Sequence, residues 1–227
     1  MIYGVEGEAM KAKNILCFGR GYKDFIVYTA FVLNNMGYKV LVNDRSSKRE
    51  MADIISHNDF ECNIRTYRNI DFLFSNGDMP GYDFILTYIS DISELGKYEN
   101  FRYILINQSA YRTELYRCTE LMEYMKTDTL FVLRDKVGNI GKKYLSKYVL
   151  PNEKLLSIYE VGYDGWDKKY QLFMDYDGVG DFKYISEDLC RALNRCISVI
   201  TGKEQGDVKK ALKWAKGGKV FDNRFLE

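Results

Sequence analysis

Six short apolar runs, each bounded by polar or turn-forming residues, recur along the chain. They read NILCF, KVLVN, DFILTYI, RYILINQ, TLFVLR and LLSIYEV, and they begin at Asn14, Lys39, Asp83, Arg102, Thr129 and Leu155. Continuous apolar runs of about 4–8 residues are typical of strands that are buried on both faces, as in parallel sheets. We therefore predict six buried strands.

Helical patterns lie between these runs. Residues Lys23 to Met36 are apolar on nearly all sides and end at Gly37, whereas a helix that begins after Ser186 has one apolar face and ends at Gly202. Serine is favoured as an N-cap and glycine just past the last helical residue. The alternation of strands and helices predicts a three-layer α/β fold, in which a mostly parallel sheet carries helices on both faces.

The chain shows no Pro/Gly/Ser-rich linker and no internal repeat. We expect residues 13–227 to form a single α/β domain, preceded by a flexible segment at 1–12, because the first apolar run begins only after that segment. Met1 and Met10 are alternative starts. The most polar segments, 45–50 and 163–181, are predicted as loops that follow strands, where such folds bind ligands.

Composition and charge narrow the function classes. The 33 Lys and Arg residues and 32 Asp and Glu residues leave a net charge of +1, so no overall field favours nucleic acid, and we predict no specific nucleic-acid partner. His57 is the only histidine, which excludes histidine clusters for zinc. The five cysteines form no CxxC pair and indicate reduced thiols. We expect a cytoplasmic protein, since the chain also lacks a signal peptide and any apolar run of about 18 residues.

The end of the chain offers two alternatives. Residues 207–221 combine several lysines with Leu212, Trp214 and Phe221, a pattern that can lie on an anionic membrane surface. Because the apolar face is short, we favour docking of this segment on the body of the protein over a peripheral membrane location.

The segment KNILCFGRGYKDF places two glycines between a strand and a helix. Glycines let a backbone approach a phosphate, and the free N–H groups at the start of a helix point at it. The candidate nucleotide-binding residues are therefore Gly19, Arg20, Gly21, Tyr22, Lys23 and Asp24, together with Asp44 at the end of the second strand. A tight turn without any ligand is the structural alternative.

A dinucleotide-binding Rossmann enzyme is the functional alternative. Gly19 and Gly21 match the first two glycines of G-x-G-x-x-G, and Asp44 stands where an acid would hold a ribose. Asp24, however, replaces the third glycine, so a negative charge lies where a pyrophosphate would bind.

From Lys13 to Ser46, the segment resembles the opening of the MinD/ParA family of P-loop ATPases, whose loop reads KGGxGK[ST]. Gly19 and Gly21 fall on family glycines without a gap. The departures from the family pattern are Cys17 at the signature lysine, Phe18 at a glycine, Tyr22 at the P-loop lysine, Lys23 at the magnesium-binding Ser/Thr and Ser46 at an acid. The segment YDFILTYISD is similar to the family's Walker B strand, with Tyr88 at the position of its aspartate.

This resemblance implies a P-loop NTPase-like fold that binds ATP or ADP weakly. Since the lysine, the hydroxyl ligand and the Walker B acid are all replaced, it implies neither a bound Mg²⁺ nor a catalytic residue, and ATP turnover is expected to be absent or near background. Degenerate family members such as the TadZ/CpaE-like proteins act as localisation or assembly factors for pilus and secretion machines. The resemblance therefore also implies protein partners and a homodimer.

Overall fold

An eight-stranded sheet forms the centre of the molecule in a computed structural model that describes residues 12–55, 63–75, 79–96, 100–149, 153–177 and 182–217. The strand order is β3-β4-β2-β5-β1-β6-β7-β8, and every neighbouring pair is parallel except β3 and β4. The strands are β1 (Lys13–Phe18), β2 (Val40–Asp44), β3 (Ile64–Tyr67), β4 (Ile70–Leu73), β5 (Phe84–Ile89), β6 (Tyr103–Ser109), β7 (Thr129–Lys136) and β8 (Leu155–Gly162). All six predicted strands are confirmed.

The antiparallel hairpin of β3 and β4 is not foreseen by the sequence pattern. Its turn residues Arg68 and Asn69 both have positive φ, at 49° and 63°. Two-residue hairpins of this geometry usually carry Asn-Gly or Asp-Gly, and Arg-Asn gives no such signal. Strands of four residues are also too short to stand out by alternation.

The described helices are α1 (Asp24–Asn35), α2 (Ala52–Ile55), α3 (Arg112–Met125), α4 (Lys142–Tyr144), α5 (Gly165–Asp177), α6 (Glu187–Thr201) and α7 (Gln205–Lys216). A 3-10 turn covers Ile92–Glu94, and a π turn, Leu145–Val149, continues α4. Both predicted helices are confirmed. Ser186 caps α6 by accepting a hydrogen bond from the Leu189 N–H, and Gly202 ends it with φ 74°. The prediction of a loop at 163–181 is wrong, because this segment contains α5.

Alternate residues of β1 pack into two separate cores. Ile15 and Cys17 join the core that includes α1, α5, α6 and α7, whereas Leu16 and Phe18 join the core built with α3. Helices therefore cover both faces of the sheet, and the three-layer, mostly parallel α/β fold is confirmed.

Helix α7 packs against α1 and α6 through its apolar side chains Val208, Ala211, Leu212 and Ala215. None of the described helices is long and apolar enough to cross a membrane. Cys17, Cys118 and Cys196 are buried free thiols, whereas Cys62 and His57 lie outside the described residues, as do segment 1–11 and Phe221.

Candidate functional site

The loop between β1 and α1 follows a path that depends on its two glycines. Gly19 has φ 156°, and a Cβ atom built on it would lie 2.0 Å from the carbonyl oxygen of Asn107 on β6. Gly21 has φ 73°, in the left-handed region, but an added Cβ would meet no atom within 4 Å. Gly19 is therefore required by a close backbone contact, and Gly21 by its backbone conformation.

The backbone N–H groups at the start of α1 have no partner within the described residues. None of the N–H groups of residues 20–25 donates a hydrogen bond there, and Lys23 provides no side-chain cap for the helix. Unpaired N–H groups and the positive end of the helix dipole together favour an anion at this point.

Tyr22, at the P-loop lysine position of the resemblance, is buried against the end of β7. Its hydroxyl donates a hydrogen bond to Asp135 Oδ2 at 3.0 Å, and its carbonyl accepts one from Asn107 Nδ2 at 2.7 Å. The Arg134 guanidinium lies 5.0 Å from the centre of its ring. Burial, with the nearby Asp135 carboxylate, raises the pKa of the Tyr22 hydroxyl. This side chain anchors the loop as a neutral group.

Lys23 connects the loop to two other elements. Its ammonium donates a hydrogen bond to the carbonyl oxygen of Glu50 at 2.8 Å and pairs with Asp175 of α5 at 3.1 Å. The charge is therefore neutralised by a carboxylate within the protein.

Asp24 forms an ion pair inside the protein. Its two carboxylate oxygens accept hydrogen bonds from Arg134 at 3.3 and 3.0 Å, and both side chains are almost fully buried. Burial alone would lower the pKa of Arg134, but the Asp24 carboxylate, together with the charges of Asp167 and Asp135, raises it overall. Asp24 thus holds the start of α1 against β7.

Tyr88 occupies the end of β5, where the family resemblance places a Walker B aspartate. Its hydroxyl lies 2.8 Å from Glu50 Oε2 and 3.0 Å from the Gly19 carbonyl oxygen, so one proton is shared between two acceptors. Burial and the Glu50 charge raise the pKa of this phenol. A neutral hydroxyl, closed against the loop, stands in place of a carboxylate.

Asp44, at the end of β2, has both carboxylate oxygens engaged. Oδ1 accepts hydrogen bonds from the Ser46 N–H at 2.9 Å and hydroxyl at 2.6 Å, and Oδ2 accepts one from the Met51 N–H at 2.7 Å. Burial raises the pKa of Asp44, and these hydrogen bonds partly oppose the rise. In this structure the carboxylate organises the turn that leads from β2 to α2.

The Arg20 side chain points towards the residues that follow β5, whereas the Tyr22 side chain points towards β7. Its Nε donates to the Ser90 carbonyl at 3.1 Å, and its guanidinium pairs with Asp91 at 3.2 Å. Asp91 also caps the turn at Ile92–Glu94, and its hydrogen bonds with Ser93 lower its pKa. Arg20 and Asp91 line a polar cavity of about 490 Å³, with Glu50 and Glu94 among the other lining residues.

The donors around the loop fit a phosphate better than a magnesium ion. Within the described residues, the N–H groups of residues 20–25 have no partner and can donate hydrogen bonds to an anion, and the Arg20 guanidinium is half exposed beside them. The nearby carboxylates are already engaged: Asp44 by N–H groups, and Glu50 by Tyr88. Among the described residues, no group of three or more His, Cys, Asp or Glu side chains could hold a metal ion.

The structure thus brings together all the predicted site residues except Asp44, which ends β2, two strands away from β1 along the same edge, and contacts the turn before α2. Their roles in nucleotide binding stay predictions. At this edge of the sheet, β1 lies between β5 and β6.

A ParA family ATPase from Chlorobium tepidum TLS matches 90% of this chain and 98% of its own, with a TM-score of 0.52 at 14% identity. The chain has the ParA-type ATPase fold. A chain of the MinC:MinD cell division protein complex from Aquifex aeolicus matches 94% of this chain and 99% of its own, with a TM-score of 0.47 at 14% identity. A putative plasmid partition protein from Borrelia burgdorferi B31, bound to AMPPNP, matches 84% of this chain and 98% of its own, with a TM-score of 0.49 at 12% identity. No protein-family model matches the sequence, and no curated protein matches it.

The strand order of the sheet argues against the Rossmann alternative. In the Rossmann fold the first two strands are neighbours, and the strand order is 3-2-1-4-5-6. Here β5 lies between β1 and β2, and β1 contacts β5 and β6. Asp44, the acid that the dinucleotide hypothesis would place on a ribose, is held by protein donors at Ser46 and Met51.

Several residues that shape the site were missed by sequence reasoning. They are Glu50, Asn107, Arg134, Asp135 and Asp175. The sequence does indicate a buried ion pair at Arg134, because a charged residue in the apolar run TLFVLR requires a partner of opposite charge. Glu94 could also have been found, since Asp91 and Glu94 have the spacing of a capping box.

Proposed function

We propose that this protein is a nucleotide-binding scaffold of the MinD/ParA type that binds ATP or ADP weakly, does not hydrolyse it and acts through protein partners. The observation that carries the proposal is the set of N–H groups at residues 20–25, which lead into the first turn of α1 and have no partner in the described part of the chain. A site built from backbone groups keeps its attraction for phosphate when the usual lysine is missing, because the N–H groups do not depend on the side chains.

Weak binding follows from the side chains that surround the loop. Tyr22 supplies no charge, and the Lys23 ammonium is already paired with Asp175. A charge-assisted hydrogen bond contributes about 1.5–3 kcal/mol, so the loss of a phosphate-facing lysine weakens binding by roughly 10- to 100-fold.

The absence of hydrolysis is inferred from Tyr88. Phosphoryl transfer depends on positioned charge, chiefly a lysine and a metal ion with its ligands. Tyr88 offers a phenol whose pKa is raised, and its hydroxyl is engaged by Glu50 and Gly19. Neither this group nor Lys23 can take the place of a carboxylate and a hydroxyl in a magnesium site.

A role in localisation or assembly, of the kind carried out by degenerate TadZ/CpaE-like proteins at pilus and secretion machines, is supported by the sequence resemblance and by the intact fold. We expect any homodimer to form without nucleotide, since no chemical cycle is available to drive association. Light scattering across a concentration series, with and without ATP, measures this, and a dimer that requires ATP contradicts it.

Calorimetric titration with ATP, ADP and NAD, with and without Mg²⁺, tests nucleotide binding. We expect weak ATP and ADP binding that Mg²⁺ changes little and that inorganic tripolyphosphate displaces. Phosphate release should stay at the background of a protein-free control. Turnover comparable to that of an active ParA-type ATPase, or binding of NAD in preference to ATP, overturns the proposal.

A further inference from the structure

A groove runs between α6 and α7, on residues that the nucleotide site does not use. Its volume is about 680 Å³, within the range of about 300–1,000 Å³ that is usual for ligand pockets. Cys190 and Asn194 of α6 line one side, and Gly206 and Leu212 of α7 line the other. Its wall is predominantly apolar.

The rim of the groove carries cations whose charge is not balanced. Lys209, Lys213 and Lys216 line it, and none of the three pairs with a carboxylate among the described residues. The other two cations of the lining are different, since Arg191 pairs with Asp188, and Lys210 pairs with Asp207. Among the lining residues that the structure describes, none is Asp or Glu.

The spacing of the rim lysines and the length of the groove suit the binding of a third helix. The three lysines have the i, i+4, i+7 spacing of one helical face. Helices α6 and α7 run antiparallel, since Lys216 near the end of α7 lies 3.3 Å from Cys190 Sγ at the start of α6. From Gly206 to Lys216 the groove extends about 15 Å, at 1.5 Å per residue, which is between two and three turns of a third helix.

We propose that the groove between α6 and α7 binds an acidic amphipathic helix of a partner protein. The apolar face of that helix enters the groove, as in other helix-in-groove complexes, and its flanking carboxylates pair with Lys209, Lys213 and Lys216. This deepens the proposed scaffold function by naming the class of partner. Nucleotide titration can fail while this binding persists, because the groove and the phosphate loop have none of the described residues in common.

The test uses the full chain and a fluorescein-labelled helical peptide of about 14 residues, or four turns, with leucines on one face and glutamates on the others. One comparison peptide has the same composition but with leucines on every face. The other keeps the leucine face and has lysines in place of the glutamates. We expect fluorescence anisotropy to detect binding of the acidic amphipathic peptide in preference to both, with an affinity that falls as salt rises. Equal binding of the three peptides overturns the proposal.

Two variants locate the binding. Lys209→Glu with Lys213→Glu should weaken it by about tenfold or more, since two rim pairs change from attraction to repulsion. The matched control, Lys143→Glu with Lys147→Glu, makes the same charge change beside α4 and should leave the affinity unchanged. Gly206→Phe should fill the groove and abolish binding while the protein stays folded, because an added Cβ there meets no atom within 4 Å. Unchanged affinity in both groove variants overturns the proposal.

The other candidate occupants are outcomes of the same assay. Anionic phosphatidylglycerol vesicles that bind the wild type and compete with the acidic peptide would show a membrane surface instead. Competition by an unlabelled peptide that copies residues 218–227 would assign the groove to the chain itself. A Gly206→Phe variant that loses self-association in light scattering would assign it to a second copy. Each of these three results replaces the partner helix and overturns the proposal.

Discussion

The hydroxyl group of Tyr88 lies 3.0 Å from the carbonyl oxygen of Gly19, so a side chain of β5 closes directly on the loop that follows β1. Both residues are buried, and Glu50 Oε2 lies 2.8 Å from the same hydroxyl. The carboxyl ends of β1 and β5 are thus joined by a neutral hydrogen bond. This contact ties the loop after β1 to the end of β5 through groups of the protein itself.

The close approach of Gly19 to Asn107 gives the first prediction. Gly19→Ala should lower the free energy of unfolding by at least about 2 kcal/mol, since the new Cβ would meet a backbone oxygen at 2.0 Å and the backbone is strained as well. Gly21→Ala is the matched control, with left-handed strain but no contact, and should cost only about 1 kcal/mol. Urea denaturation of both variants measures the difference. Equal losses would contradict the contact with Asn107.

The sequence predicts the fold better than it predicts the site. Apolar runs such as NILCF predict the parallel strands, because a strand that is buried on both faces has a continuous run of apolar residues. The hairpin at Ile64–Leu73 and helix α5 are not predicted from the sequence, since four-residue strands and a polar helix show little hydrophobic periodicity. Gly19 and Gly21 mark the loop, but its partners Glu50, Asn107 and Arg134 come from distant elements, and only the folded sheet brings them together.

The ion pair between Asp24 and Arg134 gives the second prediction. Asp24→Asn should destabilise the protein by about 3–5 kcal/mol, because the guanidinium is left charged and unpaired in the interior. The double variant Asp24→Leu, Arg134→Met should recover much of this loss, since no buried charge remains. Guanidinium denaturation of the single and double variants measures both values.

An exposed ion pair serves as the control for this measurement. Asp188→Asn, which removes a partner of Arg191 on the surface of α6, should change the stability by no more than about 1 kcal/mol. If Asp24→Asn costs as little as Asp188→Asn, then the pair does not hold the loop on β7.

Glu160 gives a prediction about pH. Its carboxylate accepts a hydrogen bond from Lys136 Nζ at 2.7 Å and one from the Lys142 N–H, and these contacts lower its pKa from the usual 4.5. Since the folded pKa is lowered, the stabilisation is present above the unfolded value of 4.5 and is lost as pH falls through the folded pKa. Glu160→Gln should therefore cost about 0.5–1 kcal/mol at neutral pH, a value limited by solvent screening, and almost nothing in strong acid.

Denaturation of the wild type and Glu160→Gln across an acidic pH series measures this difference. Glu187→Gln is the control, because the Glu187 side chain is 95% exposed in its pair with Arg191, and its effect should be near zero at every pH. A cost for Glu160→Gln that stays constant down to the lowest pH would contradict the assignment.

Restoration of the missing charged groups gives the last prediction. If the loop is an altered phosphate site, then Tyr22→Lys with Lys23→Thr adds the lysine and hydroxyl of the ParA-type loop to N–H groups that are already unpaired. We expect ATP affinity to rise by at least about tenfold, the effect of one charge-assisted contact. Turnover should stay at background, because Tyr88 still supplies no carboxylate for a metal ion.

Two controls separate this gain from a general loosening of the loop. Tyr22→Phe removes the hydrogen bond to Asp135, and Lys23→Met removes the ion pair with Asp175, but neither adds a phosphate ligand. Calorimetric titration of ATP should show tighter binding in the restored variant alone. Loss of the Lys23 contacts lowers its stability, so thermal unfolding must first establish that it remains folded. A folded variant whose ATP affinity is no higher than that of the wild type would mean that the loop is a structural turn, and the proposed nucleotide site would have to be abandoned.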